Sequence, residues 1–201
     1  MVKKLLQIFK KKGDHVIRIE SDRLHLRTFV ETDAKKLAEL LQRNKYFWAT
    51  YEPLHDAEYY TEEAQFRKIL EGLHLQRTNR EYSFGIFTKD EEQLIGHISL
   101  YAIKRLPYSS AFIGYSIDER FTGQGIATEA VNEVVQFAFN VVNLHRIEAY
   151  VSPKNIASVK VLEKANFKRE GLLRELLYIN GSWEDHYMYA LLQSDYFRNQ
   201  R

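Results

Sequence analysis

The chain has 201 residues, 45% hydrophobic and 28% charged, which fits one soluble domain and sets aside disorder, collagen-like repeats and low complexity. With 29 basic and 27 acidic residues the net charge is +2, so no polyanion is called for and no direct nucleic-acid contact is expected. Cysteine is absent, which excludes disulfides, thiolate metal sites and a cysteine nucleophile.

From Met1 to Lys12 the chain is basic around a short apolar piece, Leu5–Phe9. That piece is too short for a signal peptide or a membrane span, so residues 1–15 read as a solvated basic leader before a single domain over 16–201. No contact with a membrane and a cytoplasmic location are expected. Ile17–Phe29 alternates apolar and polar in two pieces around Ser21 and Asp22, the pattern of a bent strand or a pair. Thr32 has the chemistry of an N-cap for a helix whose face is Ala34, Leu37, Ala38 and Leu41. Residues 44–60 are aperiodic and rich in aromatics, a loop or short helix that could wall a pocket. Thr61 caps a second helix with Phe66, Ile69, Leu70 and Leu73 on one face.

Tyr82–Phe87 and Leu94–Ile103 read as strands joined by a charged turn over Lys89–Gln93, and Ala111–Ile117 as a third. Gly123 and Gly125 precede a long helix with Ala127, Ala130, Val131, Val134, Val135 and Ala138 along its face. His145–Val151 is an apolar strand, a short helix follows Pro153 through Lys164, and Asn180-Gly181 marks a hairpin between Leu176–Ile179 and Trp183–Leu191. A strand–helix–strand crossover among otherwise antiparallel strands implies a mixed α/β fold: a single central mixed, mostly antiparallel sheet with helices on both faces. Seven scattered histidines with no ligand spacing argue against a metal.

The stretch from Gly114 to Ala130 carries the chemistry. A strand runs through a glycine turn into a helix, whose first amides and dipole favour an anion. The spacing matches neither a P-loop nor the dinucleotide fingerprint, leaving Arg120, Gly123 and Gly125 as a phosphate turn. About 30 residues on, Asn155 and Ser158 open the short helix. The two segments, with Gly-Tyr-Ser-Ile at 114–117, Leu-His-Arg-Ile-Glu-Ala at 144–149 and Asn-Gly-x-Trp-x-Asp-His at 180–186, resemble the GNAT superfamily of acetyl-CoA-dependent N-acetyltransferases. The resemblance is to its RimJ/RimL branch, and within that to RimJ-like enzymes that acetylate the N-terminal alanine of a ribosomal protein.

The resemblance implies a GNAT-like fold with acetyl-CoA as co-substrate. The backbone of Tyr115, Ser116 and Ile117 would receive the pantetheine arm. The diphosphate would sit on the amides of Thr122, Gly123, Gln124, Gly125, Ile126, Ala127 and Thr128, with Arg120 assisting. Asn155 would hydrogen-bond the pantetheine and Ser158 would lie by the sulfur. Many family members place a tyrosine acid seven residues after the asparagine; here that position is Leu162, so the acid falls to Ser158. For the base the candidates are Glu52, Asp185 and His186, and Glu52 is chosen; His97 is a candidate for lining the acceptor cleft. The acceptor is then a protein N-terminus; a small amine such as an antibiotic or polyamine, or a CoA-binding module without catalysis, are the alternatives. Either a monomer or a homodimer fits the sequence.

Overall fold

A computed structural model describes residues 6–11, 14–89 and 93–199. In chain order the elements are β1 (Leu6–Lys11), β2 (Asp14–Glu20), β3 (Leu24–Thr28), α1 (Ala34–Trp48), α2 (Glu62–Arg77), β4 (Tyr82–Thr88), β5 (Leu94–Lys104) and β6 (Ser110–Ile117). Then follow α3 (Ile126–Asn140), β7 (Arg146–Val151), α4 (Ile156–Lys164), β8 (Lys168–Ile179), β9 (Ser182–Leu192) and α5 (Gln193–Arg198). All described strands join one sheet in the order β1-β2-β3-β4-β5-β6-β7-β9-β8, antiparallel throughout except for the parallel β6/β7 pair. The mixed, mostly antiparallel sheet read from the sequence is the sheet observed.

Two apolar cores follow from strand alternation. α3 lays Ala130, Val131, Val134, Val135 and Ala138 on Phe84, Ile86, Ile98 and Leu100, with Leu162 of α4 and Ile147 of β7 in the same cluster. On the other face α1 and α2 pack Leu37, Leu40, Leu41, Trp48 and Ile69 around Phe29, Phe87 and Leu94.

Several boundaries differ from the sequence reading. The leader boundary at residue 15 falls inside β2, and Leu6–Lys11 pairs with residues 14–19 as an edge strand; residues 1–5 and 12–13 lie outside the described residues. Most of the expected turn over Lys89–Gln93 (90–92) lies outside them too. The first helix is preceded by a 3-10 turn over Glu31–Asp33, so Thr32 does not cap it, and it runs on to Trp48. The reason is Asn44, fully buried on the helix face: Nδ2 donates to the Leu40 carbonyl (2.9 Å) and Oδ1 accepts the Glu119 amide (2.9 Å). A satisfied polar residue thus interrupts an apolar stripe without ending the helix. Thr61 does cap α2, its Oγ1 accepting the Ala64 amide at 3.2 Å. β8 starts at Lys168, not Leu176, because two register shifts, at Arg169/Gly171 and Leu173/Leu177, break the period-two signal.

Candidate active site

The parallel pair that joins the two halves of the sheet is short. β6 and β7 are in register only from Ser110–Phe112 against Arg146–Glu148, after which they part. Beyond Phe112, β6 pairs with β5 and no other strand, so Tyr115, Ser116 and Ile117 border an open cleft of about 730 Å³. Asn155–Ser158 at the head of α4 forms the opposite wall, and the turn into α3 closes one end with Thr122, Gly123, Gly125 and Ile126–Thr128.

At that end Gly123 and Gly125 take φ of +74° and +78°, a region that L side chains avoid. A Cβ on Gly123 would meet nothing within 4 Å, so the space above the turn is open to a ligand. The first amides of α3 have no preceding helical turn to bond and point into the cleft end with the helix dipole behind them. Lys160 and Lys164, one turn apart on α4, line the same cleft and add positive charge. This donor set suits a diphosphate and a long amide arm.

Not every expected group is placed there. Arg120 does not line the cleft: its Nε and Nη2 grip Asp118 at 3.1 and 2.8 Å. The Thr122 amide is already spent on the Glu119 carbonyl (3.2 Å), and Gln124 also stays outside the lining. The cation actually at the turn is Arg23, which the sequence reading missed. Its Nη1 donates to the Gln124 carbonyl (2.9 Å), its Nε to Glu129 (2.8 Å), and Glu129 also accepts from Ser21 Oγ (2.6 Å). The bend between β2 and β3 is thereby strapped to the head of α3, a contact spanning about a hundred residues that no local spacing signals.

Burial would raise the Asp118 carboxyl, but hydrogen bonds from Arg120 and from Arg43 of α1 (2.8 Å) outweigh it and hold it at about 2.

Neighbouring residues on β6 point to opposite faces of the sheet. Ser116 faces α1 and donates Oγ–H to Glu52 at 2.6 Å. Glu52 keeps solvent contact in the cleft, yet the protein packed about its carboxyl raises its pKa by desolvation, against the Ser116 bond. Tyr115 faces α4, and its hydroxyl lies 2.8 Å from Ser158 Oγ. Burial pushes the Tyr115 phenol up to about 12, the Ser158 bond opposing. Asn155 caps α4 by accepting the Ser158 amide at 3.0 Å, leaving its Nδ2 to donate elsewhere. A carboxylate and an alcohol thus flank one strand edge from opposite sides, a proton acceptor on one face and a hydrogen-bond donor on the other.

The aromatic segment supplies the remaining wall. Phe47, Trp48 and Tyr51 line the cleft, and Trp48 Nε1 donates to the Ile117 carbonyl (2.9 Å). The segment is held from a distance by Asn180 in the β8–β9 turn. Its Nδ2 donates to the Ala49 carbonyl (2.7 Å) and more weakly to that of Glu52 (3.4 Å), while Oδ1 accepts the Leu54 amide (2.8 Å). The other candidate bases lie elsewhere: Asp185 accepts the Glu175 amide (2.8 Å) at the strand irregularity, and His186 is buried beside the Glu184 carbonyl. His97 sits edge-on to Trp48 in a neighbouring cavity of about 350 Å³, its pKa lowered to about 4 by burial. No cluster of metal-ligating side chains occurs among the described residues, and no helix among them is long and apolar enough to cross a membrane.

Comparison with known proteins bears on this arrangement. Residues 23–168 match the family described as Acetyltransferase (GNAT) domain. The Bacillus subtilis protein named "Probable N-acetyltransferase YjcK" is 43% identical over 172 residues, covering 86% of this chain and 95% of that protein. The crystal structure of a ribosomal-protein-S5-alanine acetyltransferase from Vibrio fischeri superposes with a TM-score of 0.85 at 34% identity, over 89% of this chain and 97% of that one. RimJ of Mycobacterium smegmatis, solved in complex with CoA-disulfide, gives 0.80 at 27% identity over 89% and 90%.

Proposed function

We propose that this chain, which belongs to the GNAT acetyltransferase family and is an N-acetyltransferase, transfers acetyl from acetyl-CoA to the N-terminal α-amine of a protein, with a ribosomal protein as the model acceptor. One observation carries the reading: the edge of β6 holds Glu52 through Ser116 on one face and Ser158 through Tyr115 on the other, with the glycine turn beyond. The turn amides from Gly123 to Thr128 receive the diphosphate, Lys160 and Lys164 supplement it, and the cleft-side backbone of Tyr115–Ile117, apart from the Ile117 carbonyl that Trp48 holds, pairs with the pantetheine amides as an added strand would. Asn155 Nδ2 donates to the same arm. The acceptor amine enters from the aromatic side, and Glu52 takes its proton, directly or through water. Backbone N–H groups of the β6 edge polarise the thioester carbonyl, and Ser158 Oγ–H stabilises the departing sulfur.

The acceptor class follows from proton bookkeeping and charge. An α-amine, with a pKa of about 7.7–8.0, is roughly a tenth neutral at pH 7, whereas a lysine at about 10.4 is below a thousandth. A single half-exposed carboxylate is an adequate base for the first and a poor one for the second. A polyamine would want spare acidic groups, but of the acids in the 44–60 segment Glu58 is paired with Arg67 and Asp56 accepts the Tyr59 amide, leaving Glu52 in the cleft. A family relation to an enzyme named for alanine acetylation of protein S5 supports the same choice.

The test is thiol release from acetyl-CoA with peptides of varied N-terminal residue, beside N-terminally blocked lysine peptides and spermidine. Because the chain has no cysteine, a thiol reagent sees only the coenzyme. Preference for a free N-terminus, alanine among the best, is expected; preference for blocked lysine peptides or spermidine would overturn the assignment, and no turnover with any amine would leave only a binding module.

A further inference from the structure

We propose that Tyr115 is the positioning residue for the leaving sulfur: its hydroxyl donates to Ser158 Oγ and so frees and aims the Ser158 proton at the coenzyme's sulfur. The inference rests on the function proposed above and explains how this chain manages without a tyrosine at position 162. Leu162 is 1% exposed, packed in the core between α4 and α3, and does not line the cleft. Leu162 therefore offers the cleft neither a hydroxyl nor any surface. The phenol that reaches Ser158 comes from the facing strand instead.

On position alone either hydroxyl could donate, and acidity assigns the proton to the phenol. Tyr115 Oη lies 2.8 Å from Ser158 Oγ and 3.3 Å from the Ser158 carbonyl. A phenol is a stronger acid than an alcohol and the better donor of the pair, and the shorter contact is to Oγ. With that bond made, Ser158 keeps its own O–H to donate, and Asn155, by accepting the Ser158 amide, fixes the backbone from which Oγ projects. The high pKa of the Tyr115 phenol keeps it protonated throughout the neutral range, so it is a permanent donor. For the same reason it is not the source of the proton that the sulfur finally acquires.

In the transfer, the neutral amine's nitrogen forms a bond to the acetyl carbon and the carbon–sulfur bond breaks, its electron pair leaving on sulfur. The amine's surplus proton passes to Glu52 or to water. Ser158 Oγ–H hydrogen-bonds the sulfur anion, Tyr115 Oη–H hydrogen-bonds Ser158 Oγ, and the sulfur is protonated later from solvent. Donation along such a chain strengthens each bond beyond its isolated value.

The consequence is measurable on bound CoA itself. The pH dependence of iodoacetamide alkylation gives the pKa of the coenzyme thiol in the complex, and in a chain without cysteine no protein thiol competes. We expect the bound thiol to titrate below free CoA. Tyr115→Phe should raise it by about half a unit and slow kcat about threefold to tenfold, in keeping with a hydrogen bond to a charged group, while CoA affinity stays as in the native chain. Ser158→Ala should give the larger shift, and adding Tyr115→Phe to it should change nothing further, since the phenol acts only through Oγ. Native thiol pKa and kcat in Tyr115→Phe, or additive effects in the double variant, would overturn the inference. Failure of the native chain to bind CoA would instead sink the function on which it rests, so the two failures are distinguishable.

Discussion

The donor side of the cleft and the acceptor side are built in different ways. The donor side is local: one strand edge, one glycine turn and the head of one helix, all within residues 114–128, with α4 opposite. The groups proposed to hold the coenzyme there are mostly backbone amides, which need only conformation. The acceptor side is assembled from afar. Glu52 stands on a segment tied by Asn180 of the distal hairpin and by Tyr51, whose hydroxyl bonds the Lys154 carbonyl at 3.3 Å. Backbone sites tolerate change of side chain but not of φ; side-chain sites tolerate the reverse. Asp118 is the joint between them, gripped by Arg43 of α1 and by Arg120 beside the turn.

The largest effect should come from the donor side's dependence on conformation. Gly125→Val places a branched residue at φ +78°, with strain of about 1–3 kcal/mol and bulk beside the amides, so acetyl-CoA affinity should fall by about a hundredfold by calorimetry. A native affinity would show that the turn is not the coenzyme's seat.

Next comes the joint. The Asp118 carboxyl is fully buried and its folded pKa, about 2, is depressed below the unfolded one. Its contribution to stability, about 2 kcal/mol, is therefore present at neutral pH, above the unfolded pKa of about 3.9, and is lost as pH falls toward 2. Asp118→Asn should lose about that much stability to urea at pH 7 and show a flatter decline between about pH 4 and 2. Equal acid sensitivity in both proteins would contradict the role.

A smaller effect tests the acceptor side alone. Asn180→Ala removes the tether of the 49–54 segment, so kcat should drop about fivefold, roughly one net hydrogen bond, with acetyl-CoA affinity unaltered. If coenzyme affinity drops instead, the two sides are not separable. The smallest is a shift of profile. The Ser116 bond favours ionised Glu52, so Ser116→Ala should raise the Glu52 pKa further and move the acid limb of kcat/KM to higher pH. An unmoved limb would point to a base other than Glu52.

The same contrast governs what the sequence revealed. The glycine turn and α3 were legible because the glycines, the apolar face and the preceding strand lie in one continuous stretch. Asn155 and Ser158 were legible through the family resemblance of their motif, and the structure adds that the first caps the helix by accepting the amide of the second. Arg23 was not, because its partners Gln124 and Glu129 are joined to it only by tertiary structure. Tyr115 was legible as strand backbone, but the aim of its hydroxyl depends on where α4 docks. Arg120 was read as facing the cleft, but a carboxylate two residues away offers it a buried partner and draws it out of the lining. Asn180 carried a correct turn signal, and only the fold shows that its side chain reaches Ala49 and Leu54.

The most direct measurement is a crystal structure of the chain soaked with CoA. The diphosphate is expected on the amides between Gly123 and Thr128, the pantetheine along Tyr115–Ile117 and the sulfur within hydrogen-bond reach of Ser158 Oγ. A coenzyme lodged elsewhere, or a sulfur far from Ser158 with the turn empty, would contradict that placement.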